Sequence, residues 1–324
     1  MRRGCLAVAV LVLAWPLVAD AQPPGKGYRI GVLEVVDLAA NEANVSAFRQ
    51  GMGALGYEEG QHFVIEYRSA DGRTERLSDL ATELVGLKVD VIVTRGTPAA
   101  LAAKQATRSI PIVMATSGDP VAEGIVASLA RPGGNVTGLH TMAPPELGGK
   151  RLQLLKEAVP GSSRVGILWN PRDIYPPLIV RDTERAARAM GVQLKSLEVL
   201  GPFDQVFESA LVGQIDALIT VEDYLMLNYR PRIVEFAAMS RLPAIYGLRE
   251  FVDSGGLMSY GTDRRDLYRR GATYVHRILT GTRPADLPVE RPVKFELAIN
   301  LKTARVLGLT IPPALLRRAD YIVH

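Results

Sequence analysis

Residues 89–116 read Val89-Asp-Val-Ile-Val-Thr-Arg95-Gly-Thr97-Pro98-Ala-Ala-Leu-Ala-Ala-Lys-Gln-Ala-Thr107-Arg-Ser-Ile110-Pro-Ile-Val-Met-Ala115-Thr116. Two short apolar runs, Val89–Thr94 and Ile110–Ala115, bracket an alanine-rich helical segment, Pro98–Thr107. Neither run alternates between polar and apolar residues, so each is a strand covered on both faces, as in a parallel sheet with helices on either side. Gly96-Thr97-Pro98 marks the helix start, with Thr97 placed to cap it and Pro98 at its first position.

The same strand–helix–strand unit repeats in both directions. Upstream, Tyr28–Val35 is a buried strand, Ala43–Leu55 is helical with Val45, Phe48, Met52 and Leu55 on one face, and His62–Tyr67 is a strand. Leu77–Leu87 is a further helix. Downstream the rhythm restarts: Leu147–Val159 (helix), Arg164–Trp169 (strand), Ile179–Met190 (helix), Leu194–Val199 (strand), Phe203–Val212 (helix), Asp216–Thr220 (strand), Arg232–Ser240 (helix) and Pro243–Tyr246 (strand). Two runs of βα units separated by a Gly- and Pro-rich stretch, Arg131–Pro145, predict an α/β protein of two similar Rossmann-like lobes with parallel sheets. Gly255–Gly261 reads as a strand, Asp266–Thr280 as a helix, Leu287–Leu297 as extended and Thr303–Leu307 as a short helix.

Bulk properties fit an ordinary globular chain: 324 residues, 48% hydrophobic and 22% charged. The formal net charge is +4, but the basic residues are interspersed and only 6% of residues are aromatic, which gives no footprint for nucleic acid. Arg2 and Arg3, the apolar run Leu6–Val18 and Ala19-Asp-Ala21 have the order of an export signal, so residues 1–21 are expected to be removed and the protein to be periplasmic. The single cysteine, Cys5, lies before the apolar run. The exported chain therefore has no thiol chemistry, disulfide or cysteine-based zinc site.

No catalytic constellation is visible. The chain lacks G-x-x-x-x-G-K-[ST], H-E-x-x-H, G-x-S-x-G and a strand–GxGxxG–helix unit, and its four histidines, His62, His140, His276 and His324, lack metal-ligand spacing. No catalytic residue, metal or cofactor is expected. The informative residues stand at the carboxyl ends of the strands, where parallel sheets collect ligands: Asp37 after the first strand, Thr97 after the third, Ser117 after the fourth, and Asn170, Asp223 and Tyr246 at equivalent ends in the second run. Each is also an ordinary turn or capping residue in its place; it is their recurrence along one edge of both lobes that marks a ligand site.

Several segments in order along the chain also carry a resemblance: "FRQGMGALGYEEGQHFVIEYRSADG", "VDVIVTRGTPAALAAKQATRSIPIVMATSGDPV", "SLARPGGNVTG", "RLPAIYGLREFVDSGGLMSYG" and "RPVKFELAINLKTARVLGLTIPPALLRRAD". The chain resembles the ABC transporter substrate-binding family with tryptophan-binding, TrpX-like members. The resemblance implies a type I periplasmic-binding-protein fold, two lobes joined by three crossings, with a small ligand in the cleft. With three crossings, residues 27–142 and 255–283 are expected in the N-terminal lobe, and 143–254 and 284–324 in the C-terminal lobe. The family implies a membrane permease and an ATPase as partners of a monomeric receptor, and amino acids, often aromatic, as ligands. Thr97 and Ser117 would then donate to a ligand carboxylate, Asp223 would pair with its amino group or a hydroxyl, and Tyr246 would line the pocket. Two features depart from the family pattern: Glu34-Val-Val-Asp-Leu-Ala-Ala40 after the first strand, and Arg95, where many relatives have a small residue. They leave a plain carboxylate ligand open. A receptor that signals to a membrane partner is the first alternative, and an exported α/β enzyme, which would need a reactive residue with an oriented partner, is the second.

Overall fold

The computed structural model describes residues 27–142, 144–173 and 175–324; the expected export signal lies outside them. The first lobe opens with β1 (Tyr28–Glu34), α1 (Leu38–Ala54), β2 (Phe63–Ser69), α2 (Leu77–Gly86), β3 (Val91–Arg95), α3 (Thr97–Ala106), β4 (Ile112–Thr116) and β5 (Val136–Gly138). The second continues with α4 (Leu147–Ala158), β6 (Arg164–Trp169), α5 (Pro176–Met190), β7 (Gln193–Glu198), α6 (Phe203–Val212), β8 (Ala217–Thr220), α7 (Tyr224–Asn228), α8 (Arg230–Met239), β9 (Ala244–Tyr246), α9 (Arg249–Asp253) and β10 (Met258–Thr262). The chain ends with α10 (Arg264–Leu279), β11 (Phe295–Asn300), α11 (Leu301–Val306), α12 (Pro313–Leu316) and β12 (Tyr321–Val323).

These strands form two sheets. The first has the order β2-β1-β3-β4-β5 and is parallel throughout. Side chains alternate across it: Ile30, Val32, Val91, Val93 and Val113 enter the core beneath α1 and α10, while Leu33, Ile92, Ile112 and Met114 enter the core beneath α2 and α3. Gly31 stands where a Cβ would meet the Leu84 and Val89 side chains at 3.1–3.3 Å, so its lack of a side chain lets α2 seat closely. The second sheet runs β12-β11-β10-β9-β8-β6-β7. It is parallel except at β10–β11, an antiparallel pair that the βα rhythm does not encode.

The chain passes between the lobes three times: between Gly138 and Leu147, between Thr262 and Arg264, and between Glu290 and Phe295. The two later crossings correct the expected boundaries. β10, expected in the first lobe, pairs with β9 and β11 of the second sheet. α10 returns to pack on α1 and β4 of the first lobe. Residues 284–290, expected in the second lobe, stay with the first: Leu287 and Val289 enter its two cores, and Leu139 bridges to Glu290. Hydrogen bonding to a neighbouring strand and burial of the apolar face of α10 decide membership, and neither is a local property of the chain.

Candidate functional site

In each sheet the strand order reverses direction once, between β1 and β3 in the first and between β6 and β8 in the second. Loops leaving the sheet on either side of a reversal diverge and open a crevice at the carboxyl ends of the strands. The two crevices face each other across a cavity of about 470 Å³, within the ~300–1,000 Å³ usual for small-molecule sites. Its walls come from the ends of β1, β3 and β4 and the start of α3 on one side, and on the other from Asn170, Asp173, Tyr175, Asp223, Tyr224 and Leu227 among others. The lobes are closed over it. Tyr224 of the second lobe packs against the core under α2 and α3, and Val36 of the first lobe packs against the core that holds Leu168, Leu218 and Tyr246.

On the first-lobe side, Gly96 with φ +81° makes the turn from β3 into α3. Its N–H donates to the Thr116 carbonyl at 2.8 Å, and no side chain caps the helix. The start of α3 therefore points its peptide dipoles and N–H groups at the cavity, an arrangement suited to a carboxylate. Thr97 is not the cap expected from sequence. It is the first residue of the helix, and its Oγ1 accepts from the Gly118 N–H at 3.1 Å and lies 3.5 Å from the Ser117 Oγ. Ser117 is 1% exposed, and its carbonyl accepts from the N–H and hydroxyl of Thr141, each at 2.7 Å. The anion-facing loop is thus tied directly to the first crossing.

On the second-lobe side, Asp223 is the N-cap of α7, its Oδ1 accepting from the Met226 N–H at 2.6 Å. Its Oδ2 is shielded from solvent and has no hydrogen-bond partner. Burial pushes the carboxyl up to about 6, with the Met226 N–H and the nearby Asn170 amide offsetting part of the rise. Asn170 lines the cavity and turns its loop by accepting from the Arg172 N–H at 3.0 Å. Glu222 is held by Arg151, which is 0% exposed, through a two-pronged ion pair of 2.5 and 2.6 Å. Arg151 also donates to the Tyr260 carbonyl at 2.7 Å.

Thr97, Ser117, Asn170 and Asp223 thus meet in one cavity; the other two predicted residues do not. Asp37 is exposed and outside the lining. Tyr246 is a correction. It ends β9 on the side opposite Ile245, and strand alternation sends its ring away from the cavity into the core of the second lobe. There it stacks on Phe251 with ring centroids 4.6 Å apart and is fully buried.

The sequence reading missed several lining or supporting residues. Tyr175, Tyr224, Leu101, Leu227 and Met142 supply apolar wall. Arg264, the first residue of α10, lines the cavity from the second crossing. Arg151 reaches Glu222 from 71 positions away, and nothing local in α4 announces that pairing. Arg95, which the sequence did single out, also lines the cavity and donates to the Asn41 Oδ1 at 2.7 Å and to the Glu250 Oε1 at 3.0 Å. Glu34, 1% exposed, accepts from the Tyr268 hydroxyl at 2.6 Å and from the Asn41 amide at 2.5 Å. Burial raises its carboxyl to about 7 despite Arg95. Burial would raise Glu250 too, but Arg264 and Arg95 outweigh it and hold that carboxyl down at about 2. Among the described residues no cluster of histidine and carboxylate side chains is spaced to hold a metal.

Two lobes hinged by three crossings, with a closed cavity at both reversal points, define a type I periplasmic-binding-protein fold. Residues 29–323 match the family model described as ABC transporter substrate binding protein, and the chain belongs to that family. A tyrosine-binding protein of Clostridioides difficile is 28% identical over 88% of this chain and 82% of its own length. Among solved structures, a conserved domain protein from Vibrio cholerae is 29% identical with a TM-score of 0.78, covering 92% of this chain and all of its own. An ABC domain from Streptococcus pneumonia in complex with L-Trp is 26% identical with a TM-score of 0.79, again covering 92% of this chain and all of its own. Members of this family bind small solutes rather than transform them.

Proposed function

We propose that this protein is the extracytoplasmic receptor of an ABC importer and that its ligand is an α-amino acid held as a zwitterion across the two lobes. The observation that carries this reading is the polarity of one cavity: an uncapped helix start with Thr97 and Ser117 on the first lobe, and a shielded, unpartnered carboxylate oxygen of Asp223 on the second. A ligand carboxylate satisfies the N–H groups and hydroxyls of the first. A ligand ammonium satisfies Asp223, whose raised proton affinity reflects a buried charge awaiting a cation. The aromatic and aliphatic wall receives the side chain, in keeping with relatives named for tyrosine or solved with L-Trp. Because both charged ends are needed and each lobe supplies one, ligand favours the closed state. That state is the form a permease and its ATPase would read.

Differential scanning with a panel of L-amino acids and aromatic acids tests the proposal. A cognate amino acid at a hundredfold excess over its dissociation constant adds ~2.7 kcal/mol of apparent stability. Stabilisation by aromatic acids without an amino group, equal to that by the corresponding amino acids, would overturn the zwitterion reading.

A further inference from the structure

The cavity has a third polar region that the zwitterion does not use. Arg264 lines it, and the described hydrogen bonds of its guanidinium use only Nη1, which donates to the Glu250 Oε1 at 2.9 Å; its Nε has no partner. Arg95 lines the same cavity and donates to that same Glu250 oxygen. Tyr224 lies within electrostatic reach of Arg95, and its hydroxyl is shielded and unpartnered. Two guanidiniums therefore lean on one carboxylate oxygen beside an unsatisfied phenol. The second carboxylate nearby, Glu34, has its Oε2 3.9 Å from Arg95 and without a hydrogen-bond partner, and burial raises its carboxyl to about 7. Arg95 and Arg264 stand together at this end of the cavity, with Glu250 shared between them.

From this geometry we propose that Arg264, backed by Arg95 and Tyr224, is a side-chain subsite for a second carboxylate, and that the ligand is an amino acid whose side chain ends in an acid. The inference rests on the amino-acid reading of the cavity. The chemistry follows from guanidinium shape. With Nη1 spent on Glu250 and Nε shielded, the rest of the guanidinium that lines the cavity can still donate to a carboxylate oxygen, whereas an ammonium or a bare hydrocarbon would leave that donor unpaired. Of the other acidic groups on the lining (Asp119, Glu123, Asp173, Glu222 and Asp223), Glu222 is paired with Arg151, and the Asp119 Oδ1 accepts from the Val121 and Ala122 N–H groups of its own turn. A carboxylate bound here also shares the wall that links β3 of the first lobe to α9 of the second.

Titration calorimetry with two matched pairs, L-glutamate against L-glutamine and 4-carboxy-L-phenylalanine against L-phenylalanine, tests the subsite. In the unaltered protein the acidic member of at least one pair is expected to bind at least tenfold more tightly than its neutral partner. Arg264→Gln is expected to remove most of that difference. Tyr224→Phe deletes only an unpartnered hydroxyl and keeps the ring, so it spares the fold and is expected to narrow the gap between the acidic and neutral members. Neutral members binding as tightly as the acidic ones, or Arg264→Gln and Tyr224→Phe both weakening acidic and neutral members alike, would overturn the subsite while leaving the amino-acid reading standing. Absence of binding by both members of each pair and by every other amino acid removes that reading and the subsite with it.

Discussion

Replacing Asp223 with Asn separates the two tasks that the structure places on one side chain. Oδ1 caps α7 by accepting from the Met226 N–H, and Oδ2 is shielded and unpartnered on a residue that lines the cavity. Asn caps a helix about as well as Asp, so Asp223→Asn keeps the cap, whereas Asp223→Ala would lose about 1 kcal/mol with it. The carboxyl rises from 3.8 to about 6 because it is buried. A rise of roughly two units at ~1.4 kcal/mol each means that the ligand-free fold carries a penalty of about 3 kcal/mol once the group is ionised. For a raised carboxyl the penalty is absent below the unfolded value and grows as pH rises through the folded one. The neutral variant escapes it, so urea unfolding should show Asp223→Asn more stable than the parent at pH about 8, with the gap closing toward pH about 4. Binding should move in the opposite direction. Loss of a charge-assisted bond to the ligand ammonium costs ~1.5–3 kcal/mol, or roughly ten- to a hundredfold in affinity by calorimetry. A variant that is less stable at neutral pH, or that binds amino acids as tightly as the parent, refutes the assignment of Asp223 to a ligand cation.

Two further outcomes follow from buried groups outside the ligand contacts. Tyr246→Phe removes a hydroxyl that is buried without a partner on the far side of the second sheet; stability is expected to hold or rise by about 1 kcal/mol, and a loss of ligand affinity would contradict its placement in the core. Glu34, raised from 4.5 to about 7 by burial, favours folding below pH 4.5, and that contribution fades as pH climbs to about 7. Urea midpoints measured across this window should fall less steeply for Glu34→Gln than for the parent, and parallel curves would show that Glu34 titrates as it does in the unfolded chain.

Much of the architecture was legible because it is local. Continuous apolar runs such as Val91–Val93 and helical faces such as Val45, Phe48 and Met52 announce a layered α/β protein, and the loops at strand ends announce where its cavity lies. The sequence by itself thus determined the alternation of the main strands and helices, the restart of the rhythm and four of the residues that meet in the cavity, but not the short elements β5, α7, α9, α12 and β12. It could not decide which sheet β10 joins, that β11 runs antiparallel to it, or that α10 and residues 284–290 return to the first lobe, since these depend on hydrogen bonds and packing between distant segments. For Tyr246 the residue type was right for a pocket, but its position in the alternation of β9 sent the ring to the other face. Arg151 with Glu222, and Arg95 with Glu250 and Arg264, are pairs separated by 71 and 155 positions or joined across a crossing, and no spacing rule reports them. Tertiary structure alone decided these charges, because a buried guanidinium is tolerated only where the fold brings it a carboxylate.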